Sequence, residues 1–167
     1  MHKFTPFARL YFGFFILSQQ GDVYLHMAEI LAIDFGTKRT GLAATDPLQI
    51  VASGLATIPT QEVISYLINY LESHEVETCV VGQPKRHDGT FSEVETEIKK
   101  FIQNLKTKIP SLEVKRFDER FTSKIAFQTL IESGVKKKTR QEKGLIDKIS
   151  ATLILQSYLE VQNKNCS

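Results

Sequence analysis

The chain is poor in the residues that build disulfide or zinc scaffolds. Its 167 residues include two cysteines, Cys79 and Cys166, too few for a disulfide framework. Cys79 sits inside an apolar run and reads as a buried thiol in a reducing compartment. No cysteine or histidine cluster has zinc-site spacing. Charge is nearly balanced at a net +2, so a nucleic-acid partner does not follow from the total and any basic footprint must be local. No apolar run is long enough to span a bilayer. Internal repeats and low-complexity segments are also absent.

What is present is the profile of one globular domain. Hydrophobic residues make up 42% of the chain and charged residues 24%, a soluble composition. The length supports one domain with its own core and is too short for two ordinary ones.

Residues 1–26 differ from the rest. They hold Phe4, Phe7, Tyr11, Phe12, Phe14, Phe15 and Tyr24, an aromatic density not repeated downstream. Lys3 and Arg9 before the apolar run Leu10 to Leu17 imitate a signal peptide, but Ser18-Gln19-Gln20-Gly21-Asp22 offers no small-x-small cleavage site. Met27 is the single internal methionine and directly precedes the first patterned strand. Translation is therefore expected to begin there, with residues 1–26 a disordered extension or an artefact of the assigned start. The domain is expected to cover 27–162, with 163–167 as a tail.

The chain is organised around Ile30-Leu31-Ala32-Ile33-Asp34-Phe35-Gly36-Thr37-Lys38-Arg39-Thr40-Gly41-Leu42-Ala43. The first apolar run has no alternation and is too short for a helix, so it reads as a strand buried on both faces. Gly36 and Gly41 bracket a reversal in which positive φ or close backbone approach is expected. Second and third strands follow at about Thr40 to Thr45 and Ala52 to Ile58, with a turn at Asp46-Pro47. Thr60 is expected to cap a helix carrying Val63, Ile64, Leu67, Ile68 and Leu71. Thr78 to Gly82 is another strand. A helix from about Ser92 to Lys108 turns Val94, Ile98, Phe101, Ile102 and Leu105 inward, and Pro110 ends it. Leu112 to Phe117 forms the last strand, Thr122-Ser123 opens a helix to about Ser133, and the final helix spans about Leu145 to Val161. The order predicts an α/β sandwich: a mixed five-stranded sheet, its first three strands antiparallel, flanked by helices.

Three acids occupy positions where such sheets present chemistry. Asp34 ends the first strand, and Glu119 follows the last. If those strands are parallel neighbours, both carboxylates emerge at one rim. Asp147 lies in the first turn of the final helix, sharing a face with Ala151 and Ile154, while small Ser150 and Ala151 permit close approach to the sheet. Converging carboxylates repel and raise one another's pKa unless a cation binds. Oxygen-only ligands select Mg²⁺ or Mn²⁺. Plainer roles also fit: Asp34 as a turn former, Glu119 paired with Arg120, Asp147 as a first-turn helix acid.

Asp34-Phe35-Gly36-Thr37-Lys38-Arg39-Thr40-Gly41, Gly82-Gln83-Pro84 to Asp88-Gly89, Asp118-Glu119-Arg120-Phe121-Thr122-Ser123 and Lys143-Gly144-Leu145-Ile146-Asp147-Lys148-Ile149-Ser150-Ala151 together resemble the YqgF family. These are pre-16S rRNA nucleases and Holliday-junction-resolvase-like proteins of the RNase H-like fold. The resemblance covers Met27 to Glu160 with four motifs in order. It implies that Asp34, Glu119 and Asp147 form an acidic Mg²⁺ or Mn²⁺ site cleaving a phosphodiester of pre-16S rRNA in the cytoplasm. The chain departs from the pattern at Gln83, where leucine is usual, in the basic Lys85-Arg86-His87, and at Lys148, where a small or acidic residue is common.

Phosphate contacts are expected from Lys38 and Arg39 beside Asp34, and from Lys85, Arg86, Arg120, Lys136, Lys137, Lys138 and Arg140, since such contacts position a nucleic acid without reading its sequence. A solvated loop would carry the same charges. The expected partners are pre-16S rRNA and pre-ribosomal particles, with branched DNA as the alternative substrate and no membrane. The expected state is a monomer or weak dimer. A non-catalytic RNA-binding assembly factor is the third reading. Asp-Phe-Gly-Thr also resembles the phosphate loop of sugar-kinase and actin-type ATPases, but those need two such lobes and this chain has one.

Overall fold

The computed structural model describes residues 15–17, 23–25, 28–84, 94–118 and 143–165. Two short strands, β1 (Phe15–Leu17) and β2 (Val23–Leu25), pair antiparallel apart from the main sheet. The main sheet contains β3 (Glu29–Phe35), β4 (Arg39–Thr45), β5 (Ala52–Pro59), β6 (Val76–Gln83) and β7 (Glu113–Asp118) in the order β5-β4-β3-β6-β7. β3, β4 and β5 pair antiparallel in succession, while β3, β6 and β7 run parallel. This is the mixed sheet that the sequence predicts.

Side-chain alternation assigns the two faces. Leu31, Ile33, Leu42, Ala44, Cys79 and Val81 pack against α1 (Val63–Leu71) and α2 (Glu95–Lys108) through Val63, Leu67, Ile98, Phe101 and Leu105. Ile30, Ala32, Ala43 and Val80 meet α3 (Lys143–Asn165) through Ala151, Ile154, Leu155 and Tyr158. The apolar residues of β3 thus face a helix on one side or the other, which is why its sequence shows no polar alternation. Cys79 is fully buried, and burial pushes its thiol up to about 12, as expected for a structural cysteine.

Several expectations are corrected. Thr60 does not cap the first helix: a 3₁₀ turn, Thr60–Glu62, precedes α1, and its amino end has no side-chain cap. The Thr60 hydroxyl instead donates to the Gly36 carbonyl at 2.6 Å and lies 3.0 Å from the Thr40 hydroxyl, tying the β3–β4 turn to the end of β5. Neither Gly36 nor Gly41 has positive φ; the close-approach reading holds for both. Asp34 and Glu119 do not follow adjacent strands, because β6 lies between β3 and β7. The helix expected from Thr122-Ser123 to about Ser133 lies outside the described residues.

Candidate metal and nucleic-acid site

The C-terminal ends of the three parallel strands share one rim, with Ile33 level with Val81, and Gly82 level with Phe117. Asp34 has the parity of Ile30 and Ala32, so it points to the face covered by α3. Its cross-strand partner on β4 is Gly41. A Cβ at Gly41 would collide with the Asp147 carbonyl group and the Lys148 amide. The absent side chain therefore lets the first turns of α3 descend onto the sheet beside Asp34. Thr57 of β5 fastens that end of the helix, donating to the Gly144 carbonyl at 2.6 Å. Lys148 lays its methylenes against Gly54, where a Cβ would displace them, so its stem packs on β5.

The outcome is two half-buried carboxylates brought near each other at the rim. Burial first, and the Asp147 charge second, push the Asp34 carboxyl up to about 7, with the Ser150 hydroxyl acting in the opposite sense. Ser150 is 1% exposed and its oxygen makes no well-formed hydrogen bond. The hydroxyl is thus near enough to favour charge on Asp34 but not aligned as a full donor. Arg39 answers Asp147 from the other side, its Nε 3.5 Å from a carboxylate oxygen.

The donor set tests whether a divalent cation fits. Two adjacent carboxylates and a buried hydroxyl form a hard, oxygen-only set suited to Mg²⁺ or Mn²⁺. The Asp147 charge adds to desolvation in raising the Asp34 pKa, and a bound cation would offset both effects. Among the described residues no three acidic, histidine or cysteine side chains converge to hold a metal. Glu119, the third expected acid, lies outside the described residues.

Of the expected phosphate contacts, Lys38 and Arg39 lie at the β3–β4 turn. Lys85, Arg86, Arg120, Lys136, Lys137, Lys138 and Arg140 lie outside the described residues. Two members of the site are not evident in the sequence. Ser150 reads there only as a small residue that permits packing, although its place three residues after Asp147 puts it on the same helix face. Arg39 reads there as a phosphate contact and not as the partner of Asp147.

A second cluster stands on the opposite face of the same rim. Arg116 donates to both Glu95 carboxylate oxygens at 3.0 and 2.9 Å and to the carbonyls of Val81 and Gly82 at 3.3 and 3.0 Å. This joins the start of α2 to the ends of β6 and β7.

Five mixed strands with α3 laid across the antiparallel half define an RNase H-like fold. Consistent with this, the structure is similar to T. thermophilus RuvC in complex with Holliday junction substrate, with a TM-score of 0.51 and 14% identity over 80% of this chain and 96% of that one. The model of the RuvX family, described as a Holliday junction resolvase, matches residues 28–161, and the chain belongs to that family, which is the YqgF family of the sequence resemblance. Its relatives include three proteins named "Putative pre-16S rRNA nuclease". One, from Christiangramia forsetii, is 51% identical over 80% of this chain and 98% of its own. Another, from Bacteroides fragilis, is 48% identical over 81% and 99%. The third, from Flavobacterium johnsoniae, is 52% identical over 80% and 96%. Among the described residues no helix is long and apolar enough to cross a membrane.

Proposed function

We propose that this chain is a metal-dependent nuclease that hydrolyses phosphodiesters at the 5′ end of pre-16S rRNA, with Asp34, Glu119 and Asp147 as the acids that hold Mg²⁺ or Mn²⁺. One observation carries the reading: Asp34 stands half-buried at the sheet rim beside Asp147, and desolvation first and the Asp147 charge second push its carboxyl up to about 7. Such an arrangement costs stability unless a cation is bound. The names of the relatives supply the substrate.

In this reading each residue has a task. Asp34 and Asp147 hold the ion from the sheet and from the helix. Glu119, the residue after the end of β7 at Asp118, is assigned as the third acid of the site. Mg²⁺ or Mn²⁺ held by these acids would supply Lewis acidity for phosphodiester hydrolysis. The Ser150 hydroxyl favours the charged form of Asp34. Lys38 and Arg39, together with Lys85, Arg86, Arg120, Lys136, Lys137, Lys138 and Arg140, grip phosphates flanking the scissile bond. Residues 27–162 form the nuclease domain and 1–26 an extension outside the region matched to the family. The protein works in the cytoplasm, on pre-ribosomal particles, as a monomer or weak dimer.

The family description favours a second reading, resolution of branched DNA. That activity needs two sites arranged symmetrically, hence a dimer. The test sets structured precursor RNA beside four-way DNA junctions, with Mg²⁺, Mn²⁺ or EDTA, using wild type and Asp34→Asn. RNA cleavage that requires metal and is lost in Asp34→Asn is expected. Metal-independent cleavage, or full activity in Asp34→Asn, would refute the mechanism. Cleavage confined to junctions would transfer it to DNA, and binding without cleavage would leave an assembly factor.

A further inference from the structure

We propose that Arg39 is an exchangeable internal counter-ion, neutralising Asp147 until a divalent cation takes that carboxylate and then turning to a substrate phosphate. The inference rests on the reading of Asp34 and Asp147 as a cation site. It goes beyond it by coupling metal binding to nucleic-acid binding through one side chain.

The two arginine–carboxylate pairs found at this rim among the described residues differ in kind. Arg116 grips both oxygens of Glu95 at 2.9 to 3.0 Å, with side chains 23% and 6% exposed; that pair is structural. Arg39 stands 3.5 Å from Asp147, with side chains 44% and 29% exposed. This separation exceeds the 2.7–2.9 Å usual for a charge-assisted hydrogen bond, and solvent reaches both partners. A cation and a phosphate can therefore reach them too.

Of this pair, Arg39 is the member that can move away. The Asp147 backbone is seated on Gly41, and its helical end is held by the Thr57 hydroxyl on Gly144. Arg39 is the first residue of β4, directly after the turn, and carries its charge on a long flexible stem. When a divalent ion neutralises Asp147, the guanidinium is released at the rim where a phosphate would lie. A planar guanidinium suits a phosphate as well as a carboxylate. Conversely, a phosphate that draws Arg39 away leaves Asp147 to the metal. By linkage the two effects are equal: the metal strengthens backbone binding by the factor by which backbone binding strengthens the metal.

The experiment titrates Mn²⁺ into EDTA-treated, dialysed full-length protein and follows free Mn²⁺ by electron paramagnetic resonance. Wild type is compared with Arg39→Gln, Arg39→Lys, Lys38→Gln and Asp147→Asn. Loss of a competing surface cation should tighten Mn²⁺ binding by Arg39→Gln roughly two- to five-fold, with Arg39→Lys and Lys38→Gln close to wild type. A second arm measures a short single-stranded RNA by fluorescence anisotropy, in EDTA and in Ca²⁺, which replaces Mg²⁺ to hold back cleavage. Wild type should gain affinity with Ca²⁺, and Arg39→Gln should lose most of that gain. Equal or weaker Mn²⁺ binding by Arg39→Gln would overturn the proposal. So would equal tightening by Lys38→Gln, which would assign the effect to the general field. Unchanged Mn²⁺ binding by Asp147→Asn would instead remove the cation site itself.

Discussion

Gly41 lies directly beneath the backbone of Asp147, where any Cβ would enter the carbonyl group of that residue. Gly41 is also the register partner of Asp34. A single missing side chain thus sets how closely the acid of the helix approaches the acid of the sheet.

Gly41→Ala should therefore damage both fold and site. Overpacking of this kind costs about 1–3 kcal/mol, and here the opposing atoms are helix backbone that cannot change rotamer. The urea midpoint should fall and Mn²⁺ affinity should drop with it. A variant with wild-type stability and affinity would show that the helix is not seated on Gly41.

The acid pair should make the metal-free protein sensitive to pH. Desolvation and the Asp147 charge push the Asp34 carboxyl from its ordinary value of 3.8 up to about 7 in the fold. Between those values the folded state binds more protons, so stability falls as pH rises across that window and levels off above it. In EDTA, thermal unfolding should occur at a lower temperature at pH 8 than at pH 5. Asp34→Asn should remove this dependence and stabilise the metal-free protein at pH 8 by on the order of 2–4 kcal/mol. Adding Mn²⁺ should raise the melting temperature more at pH 8 than at pH 5.5. A flat profile would contradict the burial of a shared charge.

Much of this is legible in the sequence. The run Ile30 to Phe35, the turn after it and the strands near Thr40 and Ala52 are local patterns, and they form β3, β4 and β5. The packed face of the last helix is legible too, since Ala151 and Ile154 follow Asp147 at helical spacing and are buried. What stays hidden depends on partners distant in sequence. Glu95, a charged residue at the start of a helix, is 4% exposed because Arg116 of β7 holds it; nothing near it in sequence shows that pairing. Thr60 matches a capping residue locally, yet its hydroxyl crosses to Gly36. The place of β6 between β3 and β7 is a fact of strand order, which periodicity does not reveal.

The Arg116 pair yields its own prediction. Arg116→Met leaves the Glu95 carboxylate buried without its cation, and breaking such pairs costs about 3–5 kcal/mol. Arg116→Met combined with Glu95→Gln should recover a large part of that loss in urea denaturation. Equal destabilisation of the single and double variants would show that the hydrogen bonds of Arg116 to Val81 and Gly82, and not its charge, hold the rim.

Replacing Lys136, Lys137 and Lys138 by Ala should flatten the salt dependence of RNA binding. The log–log slope should shrink by about 0.7 for each phosphate of a single strand that the variant no longer neutralises. Anisotropy titrations across a range of KCl concentrations measure it. An unchanged slope would assign the run to solubility.

The claim beneath all of this is that Asp34 and Asp147 serve one divalent ion. Calorimetric titration of Mn²⁺ into wild type, Asp34→Asn and Asp147→Asn at pH 8 tests it most directly. Each substitution alone should weaken binding at least about ten-fold, corresponding to roughly 1.4 kcal/mol of lost ligation. An asparagine variant at either position that binds Mn²⁺ as wild type does would contradict the shared site.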